Sequence, residues 1–353
     1  MLDRVQTTLV QAWNQRGALA RALWPVSVLY GLLWGIRRQL YQMQVLRSHR
    51  VKALVIVVGN VITGGAGKTP TVVALVRHLQ RRGLAVGVVS RGYGRKRDEC
   101  LEVLPQSHPS EVGDEPLLLQ RALTVPVFVA RDRHAAATAL LAKYAQTQVI
   151  VADDGLQHYA LYRDLEVCVF DDRGYGNGWL LPAGPLREPW PHRPCAPAGQ
   201  TDRQWMTLHT GTRPAFQGYT ANRSLADFAI GSEGQTVSLE SLRIGSAKPL
   251  LAMAGIGQPD AFFDMLRAKG VPLEKTVALP DHYAFDSLSR TEYGRYSIIC
   301  TEKDAIKLWE IEPTALAVPL ELDISAGFFE TLDSHLTELF AARLSSTHGH
   351  QTT

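Results

Sequence analysis

Leu54-Val55-Ile56-Val57-Val58, followed at residues 64–69 by Gly64-Gly65-Ala66-Gly67-Lys68-Thr69, is the stretch of sequence that decides the fold. Its first part is a β-branched run of strand length, and a helical pattern opens near Thr69. A glycine-rich loop between a strand and a helix wraps phosphate groups with its backbone N–H donors. The lysine reaches the β and γ phosphates, and the threonine hydroxyl holds Mg²⁺. The stretch therefore predicts a P-loop.

One position departs from the usual P-loop pattern. Ile62 stands where the first glycine is expected, while Gly59, Gly64 and Gly65 supply glycine elsewhere. We predict that the phosphate-binding segment consists of Ile62, Thr63, Gly64, Gly65, Ala66, Gly67, Lys68 and Thr69.

Two adjacent carboxylates, Asp153 and Asp154, follow a second β-branched run at residues 149–152. They repel each other unless a cation or hydrogen bonds offset the repulsion, so a metal role is more natural than a core role. With Thr69 they form the predicted Mg²⁺ site. One of the two carboxylates can instead cap the turn that follows, and the sequence does not say which.

Short apolar runs alternate with helical stretches from Val51 onward, which predicts an α/β protein with a parallel sheet like that of P-loop NTPases. A second, shorter series begins at Leu250, after a polar and turn-rich segment. The resulting division is a P-loop domain at 51–230, a smaller α/β domain at 231–344 and a disordered tail at 345–353.

Composition excludes several classes of protein. The chain has 353 residues, of which 46% are apolar, and a net charge of +3, so it is neither disordered nor collagen-like. Its four cysteines form no Cys-x-x-Cys pair, which argues against a disulfide scaffold or a structural zinc site and indicates a cytoplasmic body.

The first 50 or so residues are basic and apolar. Residues 1–52 have a net charge of +7, so the remainder sums to −4 and gives no indication of nucleic-acid binding. The uncharged stretch Ala22–Ile36 covers about 22 Å as a helix, short of the roughly 30 Å hydrocarbon core. We predict that residues 1–50 form helices that associate with an anionic membrane surface. The alternative is a pair of helices packed on the body or on another subunit.

Several loops carry further candidate residues. Asp114 in Gly-Asp-Glu-Pro is either a helix cap or a catalytic base. The length of the loop that begins at Asp171, with its aromatics and arginines, favours function. The arginine-rich turn at 90–95 is either functional or only a solvated turn, and His282 is a lone histidine of a kind that is more often structural than catalytic.

These motifs together resemble the tetraacyldisaccharide 4'-kinase family of lipid A biosynthesis over nearly the whole chain. The resemblance rests on six segments: 58–70, Ser90-Arg91-Gly92-Tyr93-Gly94-Arg95, Gly113-Asp114-Glu115-Pro116, Asp153-Asp154-Gly155-Leu156-Gln157-His158, Pro182-Ala183-Gly184-Pro185-Leu186-Arg187-Glu188 and Thr301-Glu302-Lys303-Asp304-Ala305. Ile62 is no departure within that family.

The resemblance implies ATP- and Mg²⁺-dependent transfer of the γ-phosphate to the 4'-hydroxyl of a tetraacylated disaccharide 1-phosphate lipid, forming lipid IVA. It implies Asp114 as the base, paired with His282, and Lys68 as a catalytic residue. It also implies a monomer at the cytoplasmic face of the bacterial inner membrane. The expected substrate-binding residues are Arg91, Tyr93, Arg187 and Glu188. The guanidinium groups of the two arginines suit a phosphate group of the substrate.

Two rival classes fit less well. A membrane-bound P-loop ATPase of the partitioning type usually has a signature lysine before Gly-Gly, where this chain has Thr63. A nucleotide switch that reads guanine requires Asn-Lys-x-Asp, and here Thr301 replaces the asparagine. Either would bind nucleotide without a lipid acceptor.

Overall fold

A computed structural model describes residues 13–96, 98–191, 195, 204–245, 248–281, 283–285 and 293–348. Its strands are β1 (Leu54–Gly59), β2 (Val86–Ser90), β3 (Leu101–Val103), β4 (Val127–Val129), β5 (Val149–Asp153), β6 (Leu165–Phe170), β7 (Gln204–His209), β8 (Tyr219–Leu225), β9 (Phe228–Ile230), β10 (Thr236–Ser238), β11 (Leu250–Ala254), β12 (Leu273–Ala278), β13 (Ser297–Thr301), β14 (Leu316–Val318) and β15 (Leu320–Ile324). Its helices are α1 (Ala18–Gln42), α2 (Lys68–Arg81), α3 (Pro109–Val112), α4 (Asp114–Ala122), α5 (Arg133–Lys143), α6 (Leu239–Ile244), α7 (Pro259–Ala268), α8 (Glu302–Ile311) and α9 (Ala326–His348).

The larger sheet has the order β15-β8-β7-β6-β1-β5-β2-β4-β3. Its central strand β1 pairs in parallel with β5 and β6, and Val58 lies opposite Asp153. The predicted parallel α/β sheet is therefore confirmed. The carboxyl ends of β1, β2, β5 and β6 meet at one edge of this sheet, which is where ligands bind in such folds.

Both faces of β1 are buried, as its apolar run predicts. Leu54 and Ile56 belong to a core with Leu75 of α2 and Phe328 of α9, whereas alternate residues such as Val57 belong to a second core. The period of two thus divides one strand between two layers of helices.

The polar segment after residue 200 contains strands that its composition did not indicate. In β8, buried residues alternate with more exposed ones, because one face of this ladder with β15 is open to solvent. The polar residues on that face conceal the strand in the sequence.

A second sheet, of order β10-β9-β14-β13-β11-β12, forms the smaller α/β unit. Thr301 caps α8 by accepting a hydrogen bond from the Asp304 amide (3.2 Å), as the capping-box spacing predicts. The chain then returns to the larger sheet through β15 and α9. The boundaries at 51, 231 and 345 stay predictions. Residues 345–348 lie in α9, and the rest of the predicted tail lies outside the described residues.

Helix α1 lies against the long loop that follows β6. Ser27 donates a hydrogen bond to the Leu180 carbonyl (2.7 Å), and Tyr30 donates one to the Arg187 carbonyl (2.7 Å). The opposite side of the helix exposes large apolar residues, including Leu32 at 60% and Leu33 at 59%. By length and composition, this 25-residue helix is able to cross a membrane.

Candidate active site

Four loops meet at the carboxyl edge of the larger sheet. They follow β2, β4, β5 and β6, and they surround a cavity of about 860 Å³ that Asp153, Asp154 and Glu115 line together with arginines. The P-loop, which follows β1, lies beside this cavity, because Lys68 Nζ is 3.7 Å from Asp154 Oδ1. The fold therefore brings the P-loop, the acidic pair and the basic loops to one place.

The first half of the P-loop is extended and paired, which explains the isoleucine at its start. Ile62 is buried and forms an antiparallel bridge with Leu186. The Thr63 amide donates to the Pro185 carbonyl (2.9 Å), and the Arg187 amide donates to the Val61 carbonyl (2.7 Å). A side chain that packs in a core suits this position better than glycine does.

Lys68 begins α2, and its side chain is mostly buried. Its Nζ lies 3.4 Å from Asn60 Oδ1 and 3.7 Å from Asp154 Oδ1. Thr69 follows it in the first turn. The P-loop lysine and the acidic pair, which lie far apart in the sequence, are therefore neighbours in the fold.

The two adjacent aspartates differ in their surroundings. Asp153 is buried, its Oδ2 accepts a hydrogen bond from Ser90 Oγ (3.3 Å), and its Oδ1 has no partner among the described residues. Burial, with the nearby charges of Glu115 and Asp154, raises the pKa of Asp153 to about 7. An orphaned buried carboxylate oxygen is a natural place for a cation.

Asp154 is held by cations of the chain itself. Its backbone is left-handed (φ 46°), and Arg187 Nη1 lies 3.1 Å from its Oδ1. Burial alone would raise the pKa of Asp154, but the charges of Lys68 and Arg187 outweigh it and lower the pKa. Its carboxylate is ionised at neutral pH.

The Gly-Asp-Glu-Pro turn at residues 113–116 packs against the arginine-rich turn that follows β2. Gly113 (φ 92°) and Gly92 (φ 69°) pack so closely that a Cβ on Gly113 would lie 3.0 Å from the Gly92 Cα. Only glycine fits this contact. Gly113 occupies the N-cap position of α4, so the interpretation of Asp114 as the cap is wrong; Asp114 is the first helical residue.

The second sheet contributes cations to this turn. Lys307 Nζ of α8 lies 2.6 Å from Asp114 Oδ2, and Lys303 Nζ lies 3.6 Å from Glu115 Oε1. Lys303 also bonds Asp281 (3.1 Å), and Lys307 donates to the Tyr283 carbonyl (3.3 Å). The segment on either side of residue 282 thus lies beside Asp114. His282 itself lies outside the described residues.

The predicted substrate residues occupy two kinds of position. Arg91, Tyr93 and Arg187 line the cavity, and Tyr93 is 68% exposed. Glu188 is buried, where it accepts hydrogen bonds from Gln157 (2.8 Å) and Tyr159 (3.0 Å), so its carboxylate supports other side chains of the site. Direct contact of Glu188 with a substrate stays a prediction.

Sequence reasoning missed three further arginines that line the cavity: Arg37, Arg131 and Arg133. The last two follow β4, whose carboxyl end was the available signal. Arg133 donates to the Asp154 carbonyl (2.7 Å); burial lowers its pKa to about 10, so it stays charged at neutral pH. Arg37 comes from α1, so the apolar helix also contributes to the cavity.

His158 is held neutral at the edge of the cavity. Its Nε2 accepts a hydrogen bond from the Arg133 amide (3.2 Å), although Asp132 Oδ1 also lies 3.2 Å away. Burial, with the nearby charge of Arg133, lowers the pKa of His158 to about 4.

The depressed pKa of His158 predicts a pH-dependent stability. Between pH 6.5 and 4 the unfolded chain binds a proton that the folded chain does not, so folding loses stability as the pH falls through this window. Chemical denaturation at pH 7 and pH 4.5 should show a loss that is about 2 kcal/mol smaller in His158→Gln than in the unsubstituted protein. Equal losses in the two proteins would contradict a neutral His158.

Comparisons with known proteins agree on one family. A family profile described as tetraacyldisaccharide-1-P 4'-kinase matches residues 19–337. Proteins named tetraacyldisaccharide 4'-kinase are 54% identical in Polaromonas naphthalenivorans, covering 99% of this chain and 100% of that one, and 55% identical in Acidovorax sp., covering 93% and 94%. The crystal structure of the "apo" form of LpxK from Aquifex aeolicus in complex with ATP matches with a TM-score of 0.75 and 27% identity, covering 91% of this chain and 99% of that one.

Proposed function

The chain belongs to the tetraacyldisaccharide-1-P 4'-kinase family, and from that premise we propose that it transfers the γ-phosphate of ATP to the 4'-hydroxyl of a tetraacyldisaccharide 1-phosphate lipid, forming lipid IVA. It is a kinase, an enzyme that transfers phosphate to a hydroxyl group. The observation that carries the proposal is the pairing of Lys68 with Asp154 at the rim of a cavity lined by arginines. That arrangement joins a nucleotide loop to a surface suited to an anionic acceptor.

Mg²⁺ fits the residues present. The orphaned Oδ1 of Asp153 and the hydroxyl of Thr69 are oxygen donors, which Mg²⁺ prefers. We propose these two residues and Asp154 as its holders; Asp154 already has cationic partners and is the weaker candidate. When bound, Mg²⁺ supplies positive charge against the phosphate oxygens.

Residues of the chain itself bind the phosphates, neutralise charge and accept the proton in the proposed reaction. Backbone N–H groups of the P-loop bind the β and γ phosphates, and Lys68 neutralises charge on the phosphoryl group during transfer. Asp114 accepts the proton of the attacking hydroxyl, since it directly precedes Glu115 at the cavity wall and Lys307 holds one of its oxygens. His282 pairs with Asp114 by family analogy.

The acceptor is held by charge. Arg91, Arg131 and Arg187 offer guanidinium groups on the cavity wall, and such groups bind phosphate through paired hydrogen bonds. A disaccharide that bears a 1-phosphate is an anionic ligand of the required kind. Tyr93, which is exposed beside them, offers a ring surface to a sugar.

The acyl chains of the acceptor suit a protein that lies on the membrane. The side of α1 that faces away from the body exposes Leu29, Leu32 and Leu33, and Arg37 of the same helix reaches the cavity. We propose that α1 lies in the interface of the inner membrane on its cytoplasmic face, with the cavity opening toward lipid.

Replacing Leu29, Leu32 and Leu33 together by glutamine should weaken binding to vesicles that contain anionic lipid. Each leucine is more than half exposed, so burial in lipid contributes about 1 kcal/mol per residue and the triple variant should lose about a hundredfold in partitioning. Flotation of vesicle-bound protein through a sucrose density gradient at low and high salt measures this loss. A triple variant that floats as the unsubstituted protein does would assign the exposed face to protein packing.

Acceptor dependence tests the proposed reaction. Release of ADP should require the acylated disaccharide 1-phosphate and should equal the phosphate incorporated into lipid. ADP release at the same rate without acceptor would indicate a P-loop ATPase and would contradict the proposal.

A further inference from the structure

Most carbonyl oxygens of the P-loop are hydrogen-bonded to other groups of the protein. Among residues 60–66, four carbonyls accept hydrogen bonds from neighbouring groups. These are Asn60 from Gln157 Nε2 (3.2 Å), Val61 from the Arg187 amide (2.7 Å), Gly64 from Asn60 Nδ2 (3.0 Å) and Ala66 from Thr210 Oγ1 (2.8 Å). A loop whose carbonyls are already bonded to other groups of the protein keeps its N–H donors available to phosphate.

Arg173 supplies two more of these bonds from a single side chain. Its Nη1 donates to the Thr63 carbonyl (3.1 Å), and its Nη2 donates to the Gly65 carbonyl (3.1 Å). The two carbonyls flank Gly64, so the planar guanidinium spans the turn of the loop. Charge-assisted bonds of this kind are stronger than bonds between neutral groups.

Asp171 fixes the guanidinium from the other side. Arg173 Nε lies 2.9 and 3.0 Å from the two oxygens of Asp171, whose side chain is only 3% exposed. Since the pair comes from the loop that follows β6, the strand next to β1, the sheet itself sets the position of Arg173 against the P-loop.

Gly64 shows how closely the arginine approaches. It has φ 98°, and a Cβ at this position would lie 2.8 Å from Arg173 Nη1. A larger residue at position 64 would displace the guanidinium of Arg173, and its backbone would also be strained, because φ 98° lies in the region that favours glycine.

We propose that Arg173 is a positioning residue for the phosphate-binding loop: by binding the Thr63 and Gly65 carbonyls it fixes the shape of the loop that receives the nucleotide's phosphates. Arg173 acts through the backbone, without a role in proton transfer. The inference rests on the proposed function, because it requires that ATP is the ligand of this loop.

Binding of ADP with Mg²⁺, measured by isothermal titration calorimetry on the full chain, tests the role. Arg173→Ala should bind ADP about ten- to a hundredfold more weakly, because two charge-assisted hydrogen bonds that shape the loop are lost. Arg173→Lys should recover part of the affinity, since an ammonium can reach one carbonyl but cannot span both. Arg267→Ala, which removes an exposed arginine paired with Asp264 in α7, is the matched control and should bind as the unsubstituted protein does.

Steady-state kinetics separate positioning from general destabilisation. In each Arg173 variant the KM for ATP should rise by about the same factor as its dissociation constant for ADP, and so less in Arg173→Lys than in Arg173→Ala, while the KM for the lipid acceptor and kcat change less than about threefold. Unchanged ADP affinity in either folded variant, or an equal rise in both KM values, would overturn the role of Arg173. Absence of ADP binding in the unsubstituted protein would instead overturn the proposed function and this inference together.

Discussion

Replacing Lys68 by alanine should reduce phosphate transfer by about 10³-fold or more. Phosphoryl transfer depends on positioning and on neutralising charge, and Lys68 is the lysine of the P-loop sequence itself, close to both Asn60 and Asp154. The fold should survive, because Asp154 is a partly exposed carboxylate that keeps Arg187 as a cationic partner at 3.1 Å. Transfer of labelled phosphate to the acylated acceptor, with circular dichroism as a check on folding, measures the effect.

Lys269→Ala is the matched control for Lys68→Ala. Lys269 forms an ion pair with Asp227 (2.6 Å) on the surface of the smaller unit. Its replacement by alanine therefore also removes the lysine of a lysine–aspartate ion pair. This variant should retain full activity. Near-normal turnover in a folded Lys68→Ala protein would exclude the P-loop as the site of transfer.

Replacing Asp114 by asparagine should reduce kcat by about 10²- to 10⁴-fold, as expected for loss of a general base. The change preserves shape, and because Gly113 holds the N-cap position the helix loses no capping side chain. The ion pair with Lys307 is mostly buried, so its weakening should lower thermal stability as well. Rate measurements at saturating ATP and acceptor separate the loss of rate from a loss of binding.

Asp227→Asn makes the same chemical change in an acid–lysine pair far from the cavity wall and should leave the rate unchanged. His282→Ala should also be slow, and the double variant Asp114→Asn/His282→Ala should lose less than the two single losses combined, because residues that act as a unit are not additive. An Asp114→Asn enzyme at full rate would contradict the role of Asp114 as the base and would leave it a structural role.

The sequence predicted those parts of the site that depend on local pattern. Gly67-Lys68-Thr69 after a β-branched run identifies the P-loop, and Asp153-Asp154 after another identifies its acidic partner, because a strand end and a helix start can be recognised from neighbouring residues alone. The two motifs also had to lie together, since β1 and β5 are both buried parallel strands.

Features that depend on contacts between distant segments were not predictable. The isoleucine at position 62 is explained by its bridge to Leu186. Lys307, which pairs with Asp114, lies on α8 in the smaller α/β unit. Arg173 belongs to a loop that was expected to be functional. Its side chain donates to backbone carbonyls of the P-loop, and every residue type has such a carbonyl, so the contact leaves no sequence pattern. The interpretation of Asp114 as a cap failed because Gly113 can take the cap position in a conformation that other residues rarely adopt.

The position of the transferred phosphate tests the central claim most directly. Pure protein is incubated with Mg²⁺, ATP labelled in its γ-phosphate and a tetraacyldisaccharide 1-phosphate, and the lipid product is analysed by ³¹P–¹H correlation spectroscopy and by its label. We predict a product with two phosphate groups, of which only the new one, on the 4'-oxygen, is labelled. Label that appears only as inorganic phosphate, whether or not the lipid is present, would contradict the account.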